Sequence, residues 1–344
     1  MKALVKYGMK PGEVELREVE KPAAGPDDVI MRVKSVGVCG SDIEFWQNRI
    51  TFPVNIPVTL GHEFAGIVEE VGENVTEYQV GDRVVSETAA YICGTCEMCR
   101  KGMYNLCAKR LGYGNGTNGA FAKYCKCPTR VLHRLPENVS FDQASMTEPA
   151  CVAYNAVLVK SHPMAGEAVA VIGPGPIGLF AIQMARIAGA YPIFALGTDV
   201  DEARMETAKE VGANITINVM KEDYNAIIKK YTNGNGAALV IDAAGNTPAV
   251  KTAMEIVKPG GQITKIAWGA KPLGISLDPI IQKAVTLQGS FSHTWSTWEA
   301  VLQLISAGTL RMEPMISHSF DLDDWLEAFE TVDRKIAVKA VSHP

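Results

Sequence analysis

Gly173-Pro174-Gly175-Pro176-Ile177-Gly178 constrains this chain more than any other stretch, because of what flanks it. Before it runs Glu167-Ala168-Val169-Ala170-Val171-Ile172, an apolar segment of strand length, and after it residues 179–188 are apolar enough for a packed helix. A G-x-G-x-x-G turn between a strand and a helix lets backbone amides approach a pyrophosphate at the helix N-terminus, where the dipole favours an anion. The glycine pattern alone is weak; the strand before it and the helix after it make it a dinucleotide signature. Gly173, Gly175, Pro176, Ile177 and Gly178 are therefore candidate cofactor-binding residues.

Strand and helix patterns continue to alternate beyond this turn. A second strand over residues 193–196 leads into Thr198-Asp199, and Asp199 lies 21 residues beyond Gly178, close to the spacing of a ribose-binding carboxylate, which favours NAD. Asp199 could instead cap the helix carrying Arg204, Met205 and Ala208. Arg204 keeps NADP open, since a guanidinium can meet a 2′-phosphate. A strand over 237–242, a helix over 248–257, the turn Lys258-Pro259-Gly260-Gly261 and a strand over 262–266 predict a parallel sheet with right-handed crossovers. Further on, 298–307 and 322–332 are helical, and 336–341 is a strand that could return to the first domain.

Residues 1 to about 150 differ in character. Short β-rich runs, among them Val29-Ile30-Met31-Arg32-Val33, Gly66-Ile67-Val68-Glu69-Glu70-Val71 and Asp82-Arg83-Val84-Val85, are separated by glycine, proline and asparagine turns, which predicts a barrel-like β domain. Within it, Gly61-His62-Glu63-Phe64-Ala65-Gly66-Ile67-Val68 places an imidazole beside a carboxylate in a tight approach to a strand. Cys39 stands 23 positions earlier in Gly37-Val38-Cys39-Gly40-Ser41-Asp42. Alone, His62 is a hydrogen-bonded turn histidine and Cys39 a small buried hydrophobe. Together, with glycines crowding both, a second carboxylate at Glu148 and a nucleotide turn downstream, they form the thiolate, imidazole and carboxylate set that a borderline metal such as zinc accepts.

Cys93, Cys96 and Cys99 follow at intervals of three, with Cys107 eight positions later. Four thiols so spaced close a tetrahedral shell with no position left for a substrate, which predicts a structural zinc site around residues 90–110. The alternatives are a redox pair, which needs two cysteines rather than four, or adventitious clustering. Cys125, Cys127 and Cys151 are assigned to ordinary packing.

The 344 residues suit two domains, each able to bury its own core. Lysine and arginine total 33 against 38 acids, a net charge of −5 without any basic run, which argues against nucleic acid as a partner. Met1-Lys2-Ala3-Leu4-Val5-Lys6-Tyr7 lacks the apolar core of a signal peptide, and the most apolar region, 168–185, is broken by glycines and prolines that suit a membrane span poorly. A cytoplasmic protein is expected, and its eight cysteines then suit metal better than disulfides.

The order Cys39, Gly61-His62-Glu63, Cys93 to Cys107, Glu148-Pro149 and Gly173-x-Gly175-x-x-Gly178 resembles the zinc-containing medium-chain dehydrogenase/reductase family over the whole chain. The nearest branch looks like the polyol, sorbitol-type, dehydrogenases, while Thr198-Asp199-Val200-Asp201-Glu202-Ala203-Arg204 is similar to threonine dehydrogenases. The resemblance implies an α/β chain: a GroES-like β-barrel catalytic domain over 1–154, a Rossmann doubly wound parallel-sheet domain binding NAD over 155–294, and a segment 295–344 returning to the catalytic domain. It also implies one catalytic and one structural zinc per chain, a small-molecule alcohol or ketone substrate, and a homo-oligomer, dimer or tetramer, formed through the nucleotide domain. Mapped onto this sequence, Cys39, His62 and Glu63 hold the catalytic zinc, with Glu148 as ligand or water-mediated partner.

Two departures bear on substrate. Relatives place a histidine proton relay three residues after the position of Ser41, where this chain has Glu44, and sorbitol-type enzymes carry an arginine and a tyrosine where this chain reads Phe291-Ser292-His293. Ser41 could pass the hydroxyl proton outward with Glu44 as the next acceptor, or Glu44 is a solvated surface acid. A polar secondary alcohol is the expected substrate. A threonine dehydrogenase would need a cation for the substrate carboxylate, for which Arg49 is the candidate, and a reading of another class is a non-catalytic dinucleotide-binding protein.

Overall fold

The structure is a computed structural model that describes residues 1–269 and 271–344, and it divides into two compact units. The first comprises Met1–Glu148, Thr294–Gly308 and Ile316–Pro344; the second comprises Pro149–His293 and Thr309–Met315.

The short β-rich runs of the first unit become β1 (Lys2–Lys6), β2 (Val14–Glu18), β3 (Asp28–Val38), β4 (Val58–Thr59), β5 (Glu63–Val71), β6 (Arg83–Ser86), β7 (Tyr124–Pro128) and β8 (Leu132–Arg134). β1 lies between β2 and β4 in a small sheet, and β3, the longest strand, pairs antiparallel with both β5 and β7. Alternate residues of these strands (Leu4, Val29, Met31, Val36, Phe64, Val68) meet Phe121 and Phe329 in one core. Period-two alternation drives this packing, since a strand with one buried face points every second side chain inward.

The second unit contains β9 (Val169–Ile172), β10 (Ile193–Gly197), β11 (Ile215–Asn218), β12 (Ala237–Asp242), β13 (Val257–Lys265) and β14 (Thr286–Gly289). They form a parallel sheet in the order β11-β10-β9-β12-β13-β14. The order reverses at β9, and ligands of such sheets bind outside the carboxyl ends of the strands at that point. All four residues of β9 are buried, as a central parallel strand requires. The helix expected over 179–188 spans Pro176–Ile187, starting earlier because Pro176, with its φ preset, follows Gly175 at the N-cap. Thr309–Met315 belongs here too: the Arg311 backbone N–H donates to Gln183 Oε1 at 2.9 Å, and Gln183 Nε2 donates to the Arg311 carbonyl at 3.0 Å.

Two last strands, β15 (Ile316–Asp321) and β16 (Lys339–His343), rejoin the first unit and complete the sheet β15-β16-β3-β5-β6-β8. The strand expected over 336–341 thus begins three residues later. The helix Trp325–Asp333 ends in a turn in which the Ile336 N–H still bonds the Thr331 carbonyl and Lys335 takes φ +58°, so extended backbone cannot start at Ile336. Among the described residues no helix is long and apolar enough to cross a membrane. Cys125, Cys127 and Cys151 are buried, and none of the eight cysteines forms a disulfide.

Candidate active site

Cys39 directly follows β3 and stands at the N-cap of a seven-residue helix, Gly40–Trp46. Glu63 opens β5 and His62 immediately precedes it, after Gly61 at φ +95°, where an added Cβ would lie 2.8 Å from the Phe121 backbone nitrogen. Only glycine fits that approach. The register of β3 against β5 sets Gly37 opposite Glu63, two residues before Cys39, and so brings the thiol to the imidazole and carboxylate. One ligand atom from each of Cys39, His62 and Glu63 lies within 4.8 Å of the others. A thiolate, an imidazole and a carboxylate converging in this way suit zinc.

Two neighbours of this cluster escape a reading of the sequence. Asp42 is fully buried; its Oδ2 accepts the Cys39 backbone N–H at 2.9 Å, while Oδ1 lies 3.6 Å from His62 Nδ1 with no hydrogen-bond partner. An orphaned buried carboxylate oxygen beside a ring nitrogen fits a metal-bound histidine, which donates its other N–H to such a group and so has its tautomer and orientation fixed. Burial opposes the imidazolium, yet the charges of Cys39 and Asp42 outweigh it and raise the His62 pKa well above the ordinary value.

Lys339 is the second neighbour. Its buried ammonium donates to the Val38 carbonyl at 2.9 Å and pairs with Glu63 Oε2. β16 and β5 flank β3 on opposite sides, so Lys339 reaches Glu63 across the middle strand. Gly37 makes this possible: a Cβ there would lie 2.4 Å from Glu63 Oε2 and 3.1 Å from Lys339 Cε. Burial raises the Glu63 pKa, and the Lys339 charge works against that rise. The available signal in the sequence was one lysine inside the apolar run Ile336-Ala337-Val338-Lys339-Ala340-Val341.

The remaining sequence candidates sit around the cluster. Ser41 Oγ is 3.5 Å from His62 Nε2. Glu148, at the start of the helix Thr147–Tyr154, is outside the close donor set but near enough to raise the Glu63 pKa, and it acts on Arg110 as well. Glu44 pairs with Arg49 Nη2 at 3.0 Å, and the same nitrogen reaches Asp333 Oδ1 at 3.3 Å. Arg49, the candidate for a substrate carboxylate, is thus already engaged by two acids.

Cys93, Cys96, Cys99 and Cys107 form the other donor cluster. The Sγ atoms of Cys93 and Cys107 are 3.6 Å apart and those of Cys93 and Cys99 4.0 Å, against edges of about 3.8 Å for a tetrahedron with Zn–S near 2.3 Å. Backbone N–H groups of Cys93, Cys96 and Cys99 point at the sulfurs of Cys107, Cys93 and Cys96. Hydrogen bonds from the Thr95 and Cys96 backbones pull the Cys93 thiol down to about 6, which favours the thiolate. This loop is anchored by Tyr104, whose hydroxyl lies 2.8 Å from both carboxylate oxygens of buried Glu87; His133, stacked on Trp298, reaches Glu87 Oε1 at 3.3 Å. Counting reactive thiols with and without a strong chelator should release five additional thiols, the four members of this cluster and Cys39. No increase on chelation would exclude a metal here.

In the second unit Gly173, Gly175 and Gly178 have separate tasks. A Cβ on Gly178 would stand 2.0 Å from the Gly173 carbonyl oxygen, and one on Gly173 3.0 Å from Ala244, so the first lets the helix pack on the turn and the second lets the turn pack on the segment after β12. A Cβ on Gly175 would meet nothing within 4 Å. That open space beside the start of the helix, which begins with Pro176 and Ile177, is the cradle a pyrophosphate needs. Asp199 follows β10 with its carboxylate more than half exposed, while Arg204 is buried on the helix Glu202–Val211, 3.9 Å from Asp201 Oδ1.

Comparison with known proteins agrees with both halves of this geometry. Residues 25–137 match the family model described as alcohol dehydrogenase GroES-like domain, and residues 176–307 match zinc-binding dehydrogenase. The chain is 38% identical to a sorbitol dehydrogenase of Halalkalibacterium halodurans, over 100% of this chain and 99% of that one. It is 35% identical to an L-threonine 3-dehydrogenase of Caldanaerobacter subterraneus subsp. tengcongensis, again over 100% and 99%. A crystal structure from Sinorhizobium meliloti bound to NADP superposes with a TM-score of 0.90 at 28% identity, covering 100% of this chain and 99% of that one. With a GroES-like first unit and a doubly wound parallel sheet in the second, the chain belongs to the zinc-containing medium-chain alcohol dehydrogenase family, oxidoreductases that act on CH–OH groups with a nicotinamide cofactor.

Proposed function

We propose that this protein is a zinc- and NAD-dependent dehydrogenase that interconverts a polar secondary alcohol, namely a polyol, sugar alcohol or sugar phosphate, with its ketone. In this reading Cys39, His62 and Glu63 hold the catalytic zinc with Glu148 as ligand or water-mediated partner, and Cys93, Cys96, Cys99 and Cys107 hold the structural one. Gly173, Gly175, Pro176, Ile177, Gly178 and Asp199 bind the dinucleotide. The observation that carries the reading is the convergence of thiol, imidazole and carboxylate within 4.8 Å, in one chain with a glycine turn whose middle glycine faces open space.

When bound, zinc supplies Lewis acidity that eases loss of a hydroxyl proton, and the nicotinamide supplies a hydride acceptor. The chain's own residues do the rest. Asp42 Oδ1, 3.6 Å from His62 Nδ1, stands where it would accept the ring N–H and fix the tautomer once a metal takes the other nitrogen. Lys339 holds Glu63 Oε2, and its charge opposes the rise that burial imposes on that carboxylate. Ser41, beside His62 Nε2, accepts the substrate's proton and passes it outward, with Glu44 as the next acceptor and Arg49 stabilising its charge.

The likeness to a sorbitol dehydrogenase supports a polyol-type substrate, and Phe291-Ser292-His293 argues against sorbitol itself. An amino-alcohol substrate such as threonine is the second reading, supported by the threonine dehydrogenase relative. Against it, a substrate carboxylate at Arg49 would have to compete with Glu44 and Asp333. Retention of Cys39, His62, Glu63 and Ser41 together counts against a non-catalytic nucleotide-binding protein. Assaying polyols, sugar phosphates and amino alcohols with NAD and NADP, following reduced nicotinamide, tests the proposal; activity on threonine alone would favour the second reading, and no turnover with any substrate class would favour the non-catalytic one. A homo-oligomer is part of the proposal: β14 is an open sheet edge carrying exposed Leu287, with Ile281 79% exposed nearby in sequence. Light scattering of the purified chain checks it.

Gly175→Val separates binding from folding. Gly175 has φ −72° and ψ 178°, backbone that valine adopts readily, and its side chain would project into open space. The variant should melt with the wild type yet lose more than about tenfold in dinucleotide affinity, the equivalent of at least one charge-assisted hydrogen bond. Undiminished affinity would move the pyrophosphate elsewhere.

A further inference from the structure

β10 and β11 run parallel with Gly197 level with Asn218, so the residues that follow them leave the sheet side by side at its carboxyl edge, next to the β9 end that carries the glycine turn. Asp199 follows β10. Its Oδ1 accepts Asn218 Nδ2 at 2.7 Å and pairs with Lys221 Nζ at 2.9 Å. Both donors converge on one oxygen, which leaves Oδ2 to accept a ribose hydroxyl. The side chains of Asp199 and Lys221 are 55% and 66% exposed, so neither is locked by packing. Arg204, the cation that the sequence suggested for a 2′-phosphate, instead lies buried against Asp201.

We propose that Lys221 is the residue that admits a 2′-phosphate, and that the protein therefore takes both NAD and NADP. This rests on the glycine turn being a dinucleotide site. With NAD, Lys221 stays on Asp199 Oδ1 while Oδ2 accepts the ribose hydroxyl; with NADP, Lys221 leaves the carboxylate for the phosphate, and Asn218 retains its bond to Asp199. An exposed ion pair in water is weak enough to exchange in this way, and a phosphate offers a stronger charge-assisted acceptor than a carboxylate. Lys221 is also needed because Asp199 would otherwise present an uncompensated negative charge to the incoming phosphate. Bonds from Asn218 and Lys221 hold the Asp199 carboxyl below its ordinary range, so that charge is present at neutral pH.

Isothermal titration of the full chain with NAD and with NADP tests the inference, on wild type, Lys221→Glu, Lys221→Gln and Asp199→Asn. Wild type should bind both nucleotides. Lys221→Glu should weaken NADP relative to NAD by about 10- to 100-fold, the loss expected for one hydrogen bond to a charged group, and Lys221→Gln should move the same ratio less far. Asp199→Asn should move it in the opposite direction. Because the Lys221 contact with NADP is ionic and exposed, wild-type affinity for NADP should also fall more steeply with salt than affinity for NAD. Binding of NAD without detectable binding of NADP overturns the inference, as does a Lys221→Glu variant in which both affinities fall together. Failure of wild type to bind either nucleotide removes the dinucleotide reading itself, and this inference with it.

Discussion

Lys339→Met should lower the unfolding free energy of the metal-free protein by about 3–5 kcal/mol, the usual result of removing one partner from a buried ion pair. Glu63 is 1% exposed, and Lys339 supplies a cation in contact with its Oε2. Methionine fills much of the lysine's volume but leaves the carboxylate to face an apolar wall and loses the bond to the Val38 carbonyl. The cost should be largely recovered in the double variant Lys339→Met, Glu63→Met, because replacing both members of a buried pair with apolar groups of similar size is often neutral or stabilising. Urea unfolding of the two variants beside the wild type reads this out. A single variant within about 1 kcal/mol of wild type would mean the pair behaves as an exposed one and contributes little.

His62→Ala should abolish one of two metal equivalents and reduce turnover by at least about 10³-fold, since Lewis-acid stabilisation of several kcal/mol corresponds to three or more powers of ten in rate. The ring lies between Ser41 Oγ and Asp42 Oδ1 and is the imidazole donor of the cluster, so alanine leaves a thiol and one carboxylate. The Cys93 to Cys107 cluster is built from other residues and should keep its metal, which makes metal content drop by half rather than vanish. Asp42→Asn gives the companion result. It retains size but loses the charge behind the ring, and a change of that kind costs about 10- to 100-fold in metal affinity or activity. Full metal content in His62→Ala, or turnover within tenfold of wild type, would remove this cluster from the reaction.

The parts of the molecule that were readable from sequence are those in which a few neighbouring residues determine the outcome. The Cys93 to Cys107 cluster closes within one loop, so spacing alone brings its thiols together. The strand, turn and helix around Gly173 to Gly178 are set by burial period and by the lack of side chains on the glycines. Strand and helix alternation in the second unit was legible for the same reason, as the exact coincidence of the expected strand 237–242 with β12 illustrates. Where a terminus depended on one local feature, the reading slipped by a few residues: Pro176 started a helix early, and the left-handed turn at Lys335 delayed β16.

Tertiary structure alone decided which charges meet. Lys339 lies 276 residues from Glu63 and 301 from Val38, and it reaches them because β16 and β5 flank β3 and Gly37 leaves a gap in the strand between. Arg49, the candidate cation if the substrate carried a carboxylate, is held by Glu44 and Asp333; Arg204, the cation that kept NADP open, is buried against Asp201, while Lys221 pairs with Asp199. The sequence by itself determined the two architectures, the four-thiol cluster and the residue types able to take a metal and a dinucleotide, because these follow from periodicity and short spacing. The partners of the buried and exposed charges came only from the folded chain, because strand register, which no local pattern encodes, sets the distance between residues hundreds of positions apart.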